Sequence, residues 1–157
     1  MNGTAESSGN KVLIAVDLSE NSLKAVDYVG RMLRCHDQVE ITLLTVIKEP
    51  SADIVPDGAE RAARVEEARR ETLALMEQAG GRLTALGIPE NRIRIKLQVC
   101  RKPMSVSDLI LNEQKEGGYG TLVVGRRGVS KKEEFLFGSV SSRVVRDAKH
   151  CAVWVIE

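Results

Sequence analysis

The segment KVLIAVDLSE, residues 11–20, sets a pattern that the rest of the chain repeats. It opens with a short apolar run rich in β-branched residues, 11–16, which is typical of a strand covered on both faces. Residues 19–34 follow with apolar side chains at helical spacing, and either Ser19 or Asn21 can cap the start of that helix. A buried strand leading directly into an amphipathic helix is the repeating unit of an α/β sheet.

The alternation continues to the end of the chain. Asp57 followed by Glu60 predicts a capping box at the start of a long helix, which Gly87 and Pro89 end. Its predicted core stripe is Val65, Ala68, Leu75, Met76, Ala79, Leu83 and Leu86. Further strands are predicted at 39–47, 92–99, 121–124 and 151–156, and further helices from Ser105 to about Gly117 and from Ser139 to Ala148. This order predicts one parallel sheet with helices on both faces.

The third predicted strand differs from the others. In residues 92–99, Ile93, Ile95 and Leu97 alternate with charged residues, whereas the other strands are nearly continuous apolar runs. Alternation indicates a strand with one wet face, and positive charges discourage pairing at an open edge. The third strand is therefore predicted to lie at an edge of the sheet.

Length and composition indicate one globular domain. The chain has 157 residues, 43% apolar and 29% charged, with 23 basic and 22 acidic residues. We expect a loose polar tail at 1–10 and one domain at 11–157. Balanced charge and 3% aromatic residues argue against nucleic-acid binding. No apolar run approaches the roughly 18 residues of a membrane span. With three scattered cysteines and no export signal, the sequence predicts a cytoplasmic protein.

The most informative segment follows the fourth predicted strand. It reads VVGRRG at 123–128, then nine residues, then GSV at 138–140. Gly125 permits a sharp turn and close approach of a ligand, and Gly128 can adopt a positive φ angle. Gly138 and Ser139 stand where the next helix exposes unpaired N–H groups that favour phosphate. Placed between a strand and a helix, this spacing predicts a phosphate-binding loop.

This motif resembles that of the ATP-binding branch of the universal stress protein family. The resemblance extends over residues 11–156 and includes Val16 to Glu20 after the first strand and Leu44 to Ile47 in the second. It implies the strand order 3-2-1-4-5 and bound ATP, and we expect Mg²⁺ to bind together with the ATP. The predicted nucleotide-binding residues are Asp17, Val46, Gly125, Arg127, Gly128, Gly138, Ser139 and Val140.

By the resemblance, Asp17 lies near the ribose and the backbone of Val46 meets the adenine edge. Gly125 lines the ribose or first phosphate, and the phosphates are held by Gly128, Gly138, Ser139 and Val140. Without the resemblance, two interpretations of Asp17 stay open, a ligand contact and a cap for the following helix. Two more stay open for Arg126 and Arg127, which either reach the phosphates or are solvated. Leu18 departs from the glycine that many family members carry there.

Catalytic motifs are missing from the sequence. It has no Walker lysine, no GxSxG elbow and no HExxH pair. Glu133 and Glu134 are interpreted as solvated loop residues, with Mg²⁺ binding by one of them as the alternative. We therefore expect a nucleotide-binding regulatory module with at most weak ATPase activity. The alternatives are a slow ATPase or adenine-nucleotide hydrolase, and an interaction protein without nucleotide.

The last predicted strand, 151–156, is apolar and contains the single tryptophan. In the order 3-2-1-4-5 it is an edge, and an exposed apolar edge favours pairing with another chain. The resemblance to the universal stress protein family implies the same, since many of its members dimerise through this strand. We therefore expect a homodimer built by antiparallel pairing of Cys151–Ile156 with its copy.

Overall fold

The structure is a computed structural model, and it describes residues 8–126 and 139–157. The strands are β1 (Lys11–Ala15), β2 (Glu40–Lys48), β3 (Ile93–Cys100), β4 (Thr121–Gly125) and β5 (Ala152–Ile156). The helices are α1 (Glu20–Leu33), α2 (Gly58–Ala85), α3 (Val106–Gly117) and α4 (Ser139–Asp147), with single 3₁₀ turns at Ser8–Asn10 and Glu90–Arg92. Every strand pairing is parallel and the order is β3-β2-β1-β4-β5, which confirms the predicted fold.

Helices cover the sheet on both faces, as the continuous apolar strands predict. On one face, Ile14 and Leu43 pack with side chains of α1 and α2, among them the fully buried Met76. On the other, Leu13 and Leu44 pack with side chains of α3 and α4. Each large apolar side chain removed from water in these two cores contributes roughly 1.5–3 kcal/mol.

The strand β3 lies at the edge, as predicted, and its polar side chains alternate with half-buried apolar ones. Its outer residues are engaged with α3. Lys96 Nζ donates to Glu113 Oε1 at 2.6 Å and Gln98 Nε2 donates to Glu113 Oε2 at 2.9 Å. The buried Tyr119 hydroxyl also lies 3.1 Å from Glu113 Oε1. The hydrogen bond to Glu113 raises the pKa of Lys96, so the buried carboxylate keeps a charged partner.

The capping box predicted at the start of α2 is confirmed for Asp57 and wrong for Glu60. Asp57 does cap the helix, because its Oδ1 accepts the N–H of Ala59 at 2.8 Å. Glu60 does not close the box. Its carboxylate instead accepts Arg64 Nη2 at 2.6 Å, the ordinary pairing of residues four apart on a helix surface. A complete capping box occurs at α3, between Ser105 and Asp108.

The predicted core stripe of α2 also needs one correction. Leu75 is 46% exposed, whereas Met76, Ala79 and Leu83 are buried. Successive helical residues are separated by about 100°, so a helix that turns residue 76 toward the sheet turns residue 75 away. None of the helices within the two described ranges is long and apolar enough to span a membrane.

The chain changes faces once. The first two helices, α1 and α2, pack on one face while the strands progress from β1 to β3 at one edge. The chain then crosses to β4 on the far side of β1, and α3 and α4 pack on the opposite face. The strand order therefore reverses between β1 and β4, which is where open α/β sheets form a crevice beyond the carboxyl ends of their strands.

An ion pair joins α1 to α2 beside the first core. Arg82 Nε and Nη2 donate to Asp27 Oδ1 and Oδ2 at 2.8 and 2.5 Å. The hydrogen bond from Arg82 lowers the pKa of Asp27 below its usual 3.8. A lowered carboxyl pKa contributes stability above the unfolded value, and that contribution is lost as the pH falls through the folded value.

We predict that Asp27→Asn lowers the free energy of unfolding at pH 7 by about 1 kcal/mol or less, because the pair is partly exposed. The loss should shrink as the pH falls below about 3.8, where wild type also loses the charge. Urea unfolding at pH 7 and at successively lower pH measures both effects. Arg82→Gln should reproduce the loss at pH 7, and an equal loss at every pH would contradict the argument.

Candidate functional site

The crevice exists because β1 ends before its neighbours. Its last paired residue, Ala15, lies opposite Leu44 on one side and Val124 on the other. One more bond follows, from the N–H of Val16 to the C=O of Leu44 at 2.8 Å. Beyond it, β2 continues to Lys48 and β4 to Gly125, which leaves a gap between them.

The backbones of the neighbouring strands face this gap. In a strand, the N–H and C=O of one residue point to one side and those of the next residue to the other. Since the C=O of Leu44 points toward β1, the N–H and C=O of Val46 point the same way, beyond the end of β1. The N–H of Arg126 donates to the C=O of Ile156 at 2.6 Å, toward β5. Because neighbouring residues alternate, the N–H and C=O of Gly125 point the opposite way, toward the gap.

Two helices form the walls of the cavity above the gap. The helix α3 contributes Val106 and Ile110, and α4 contributes residues 139–141. The floor of the cavity is largely apolar and includes Leu44. Among the described residues that line the cavity, Asp17 and Lys48 are the charged ones, and both belong to its rim at the strand ends. The site therefore combines apolar surface with backbone groups and few charges, which suits a small organic ligand.

Five of the predicted site residues line this one cavity, namely Asp17, Val46, Gly125, Ser139 and Val140. They come from three strand ends and one helix. Three others, Arg127, Gly128 and Gly138, lie outside the described residues, as do Glu133 and Glu134. That the cavity binds a nucleotide through these residues stays a prediction.

Asp17 takes part in the turn that leads into α1. Its Oδ1 accepts the N–H of Ser19 at 3.0 Å, and Ser19 Oγ accepts the N–H of Ser22 at 3.3 Å. Ser19 is therefore the N-cap, and Asn21 is not. The side chain of Asn21 donates instead to the C=O of Arg126 at 2.5 Å, which ties α1 to the end of β4. Asp17 thus supports the helix start and lines the cavity at the same time.

Leu18 has a positive φ of 62°. This left-handed conformation costs a residue other than glycine roughly 1–2 kcal/mol. Glycine would avoid that cost, because it has no Cβ atom. In this chain the Leu18 side chain packs against the first core, and that burial offsets the strain.

Gly125 has a packing role that its sequence context does not reveal. A Cβ atom at this position would lie 2.9 Å from the carbonyl carbon of Asn21 and 2.9 Å from the nitrogen of Ser22. Both are backbone atoms and cannot rotate away. Glycine is therefore required for the first turn of α1 to approach the end of β4, in addition to lining the cavity.

We predict that Gly125→Ala destabilises the protein by about 1–3 kcal/mol, because the backbones of β4 and α1 must separate. Thermal unfolding measures the change. Gly81→Ala is the matched control. A Cβ atom there meets nothing within 4 Å and the position is helical, so the substitution should be neutral or stabilise by up to about 1 kcal/mol. Equal effects of the two substitutions would contradict this reading of Gly125.

Nine of the described lining residues were not among the predicted site residues, and they include Ser22, Lys48, Val106, Ile110 and Ser141. Lys48 was detectable as a charged residue that ends an apolar strand. Val106 and Ile110 are four apart and share one side of α3. Arg126 is now placed as well, since its guanidinium pairs with the carboxylate of Glu157 at the end of β5.

An open parallel sheet with a cavity at the point of strand reversal defines the class of doubly wound α/β ligand-binding proteins. Residues 9–157 match the model of the universal stress protein family, and the chain belongs to this family. It is 30% identical over 143 residues to the universal stress protein YxiE of Bacillus subtilis strain 168, covering 86% of this chain and 90% of that protein.

Solved structures share the fold over nearly the whole chain. Hypothetical protein MJ0577 superposes with a TM-score of 0.76 at 21% identity, covering 95% of this chain and 96% of the other. A universal stress protein in complex with cAMP gives 0.66 at 23% identity, covering 96% and 98%. The universal stress protein from Archaeoglobus fulgidus in complex with dAMP gives 0.60 at 17% identity, covering 95% and 98%.

Proposed function

We propose that the chain is a nucleotide-binding regulatory module of the stress response that binds ATP in the cavity at the ends of β1, β2 and β4. The observation that carries the proposal is that the backbone N–H and C=O groups of Val46 and Gly125 face the gap. They offer hydrogen-bonding groups to a ligand in an apolar cavity where strand order reverses.

We also infer that the protein is cytoplasmic, because its three cysteines form no disulfide.

Adenine suits the side of the cavity formed by β2. The edge of the base carries a donor next to an acceptor, and Val46 offers the complementary C=O and N–H from one residue. Apolar side chains nearby, including Ile110, can cover a face of the base. Two relatives with this fold are complexes with cAMP and dAMP, which share adenine and a phosphate but differ in the sugar. Their common part supports an adenine nucleotide as the ligand class.

The sugar and phosphates would then extend toward β4 and α4. Asp17 can accept hydrogen bonds from ribose hydroxyls. Ser139 and Val140, in the first described turn of α4, can present N–H groups to phosphate. The preference for a triphosphate rests on the spacing of Gly125, Gly128 and Gly138.

A Mg²⁺ ion would depend on the nucleotide. Residues 8–126 and 139–157 contain no group of three or more His, Cys, Asp or Glu side chains that could hold a metal ion. Asp17 is the one carboxylate among the described residues that line the cavity. Mg²⁺ commonly binds through one or two carboxylates together with substrate phosphates. The described residues therefore fit an ion carried by the phosphates of ATP.

We predict that ATP binds with a dissociation constant in the micromolar range, which is worth about −8 kcal/mol at 1 μM. Asp17→Asn should weaken binding about tenfold, because the amide accepts hydrogen bonds less strongly than a carboxylate. The amide oxygen can still accept the N–H of Ser19, so the turn is preserved. Titration calorimetry with ATP, AMP and GTP measures affinity and base preference.

The controls separate the site from the fold. Asp37→Asn removes a carboxylate at the opposite end of the sheet, beside a different cavity, and should leave the ATP affinity unchanged. The double variant Gly128→Val and Gly138→Val should abolish binding. Mass spectrometry of nucleotide released from freshly purified protein identifies the natural ligand. Binding of GTP as tight as ATP, or an unaffected double variant, would refute the assignment.

We further propose that two copies of the chain pair through β5. Among the described strands, β5 pairs with β4 alone and leaves its other edge open. The N–H of Ala152 donates to the C=O of Gly120, toward β4. By alternation, Val153 and Val155 direct their N–H and C=O groups to the open edge. Antiparallel pairing with a second β5 would satisfy these groups by two-fold symmetry.

We predict that Val155→Pro yields a monomer, because proline removes an outward N–H while the bonds from β5 to β4 are kept. Val155→Ala is the matched control, since it shortens the same side chain and retains the N–H, and it should remain dimeric. Sedimentation velocity at tens of micromolar distinguishes the two states. A monomeric wild type would overturn the proposal.

A further inference from the structure

One side chain joins the two helices that form the cavity walls. Arg143 of α4 reaches the start of α3, where its Nη1 donates to Ser105 Oγ at 3.1 Å. Its Nη2 donates to Asp108 Oδ1 at 2.6 Å. Asp108 and Arg143 are each about two-thirds shielded from solvent, so this pair is less screened than a surface ion pair.

The anchor for Arg143 is itself held in place. Asp108 Oδ2 accepts the N–H and the hydroxyl of Ser105 at 2.8 and 2.6 Å, and the Ser105 hydroxyl accepts the N–H of Asp108 at 3.1 Å. These hydrogen bonds from Ser105 lower the pKa of Asp108, so the carboxylate stays charged. One oxygen of Asp108 thus caps α3 and the other receives the arginine.

This contact lies directly behind the cavity. Ser105 precedes the wall residue Val106, and Asp108 is two residues before Ile110. Arg143 is two residues after Ser141, the last residue of α4 that lines the cavity. A small movement at the arginine would therefore be transmitted within one helical turn to the wall formed by α4, whereas α3 keeps its own capping box and its packing on the sheet.

We propose that Arg143 is a positioning residue, which fixes the first turn of α4 against α3 and so prepares the phosphate side of the cavity before a nucleotide arrives. This inference rests on the proposed nucleotide function. The planar guanidinium suits the task because its fork can meet two fixed acceptors at once. If α4 occupied the competent position one tenth of the time, the apparent dissociation constant would rise about tenfold.

A purely structural role is the competing explanation. The Arg143 Nε is buried, has no hydrogen-bond partner among the described residues, and lies 3.4 Å from Asp147 Oδ2. A buried donor without a hydrogen bond lowers stability. Replacing the arginine with an apolar side chain removes that cost as well as the ion pair, so a folded variant is expected. The two roles then differ in what happens to the ligand.

The test compares Arg143→Met with Arg146→Met, using ATP and adenosine as probes. Arg146 is on the same helix, its side chain is 72% exposed, and its two hydrogen bonds go to Asp147 rather than to α3. We expect Arg143→Met to raise the dissociation constant of ATP about tenfold and that of adenosine less than twofold, since adenosine carries no phosphate. Arg146→Met should change neither affinity by more than about twofold.

Asp108→Asn removes the charge of the Arg143–Asp108 pair but keeps the hydrogen bond from Arg143 to Ser105, so it should weaken the binding of ATP by no more than Arg143→Met does. The double variant should bind ATP no more weakly than Arg143→Met alone, because the pair is already lost there. Equal weakening of ATP and adenosine, additive losses, or an unchanged ATP affinity in Arg143→Met would each overturn the proposal.

Amide hydrogen exchange without nucleotide separates this inference from the proposed function. Faster exchange in residues 139–145 of Arg143→Met, but not of Arg146→Met, is expected if the arginine holds α4. If exchange changes in this way but the wild-type protein binds no ATP, then the contact positions α4 and the proposed nucleotide function is wrong. Unchanged exchange in both variants would overturn the positioning role itself, whatever the wild type binds.

Discussion

The early end of β1 is the constraint on which the rest of the site depends. A sheet whose central strands were equally long would use all its backbone groups in pairing. Here Ala15 is the last residue of β1 to pair on both sides, while β2 and β4 run on. The backbone at Val46 and Gly125 is consequently directed toward a space without a strand. A ligand that fills that space meets a preformed set of donors and acceptors, and no main-chain rearrangement is required.

The turn after β1 keeps that space open. Leu18 takes a left-handed conformation, and Ser19 at once caps α1, so the chain leaves the plane of the sheet within a few residues. The helix can then descend against the end of β4 because Gly125 has no side chain. Strain at Leu18 and the need for glycine at 125 are two consequences of one requirement, that the first helix start beside the cavity.

The fold could be predicted from the sequence because its signals are local. Continuous apolar runs marked the central strands, and the alternating charges of β3 marked an edge. Errors arose where local rules compete. Glu60 could close a capping box or pair with Arg64, and it pairs with Arg64. In a helix as long as α2, a small error in phase was enough to place Leu75 in the core.

The site was only partly predictable, for a different reason. The glycine spacing lies within a short segment, so Gly125 could be found from the sequence, whereas Asp17 was assigned through the family resemblance because its local pattern also fits a helix cap. The contacts of Arg143 join residues 35 and 38 positions apart, through helices whose relative placement depends on the whole sheet. No pattern along α4 distinguishes Arg143 from Arg146, and the structure is needed to show which one reaches α3.

On each face of the sheet an Arg–Asp ion pair joins two neighbouring helices, but the two pairs have different roles. Apolar side chains hold each helix down on the sheet, but they are non-directional and define poorly how two parallel helices sit side by side. On each face an arginine and an aspartate fix that spacing, Arg82 with Asp27 and Arg143 with Asp108. The first pair lies on the face away from the cavity and can serve stability alone. The second spans the two cavity walls, so the same chemistry there also sets the shape that a ligand meets.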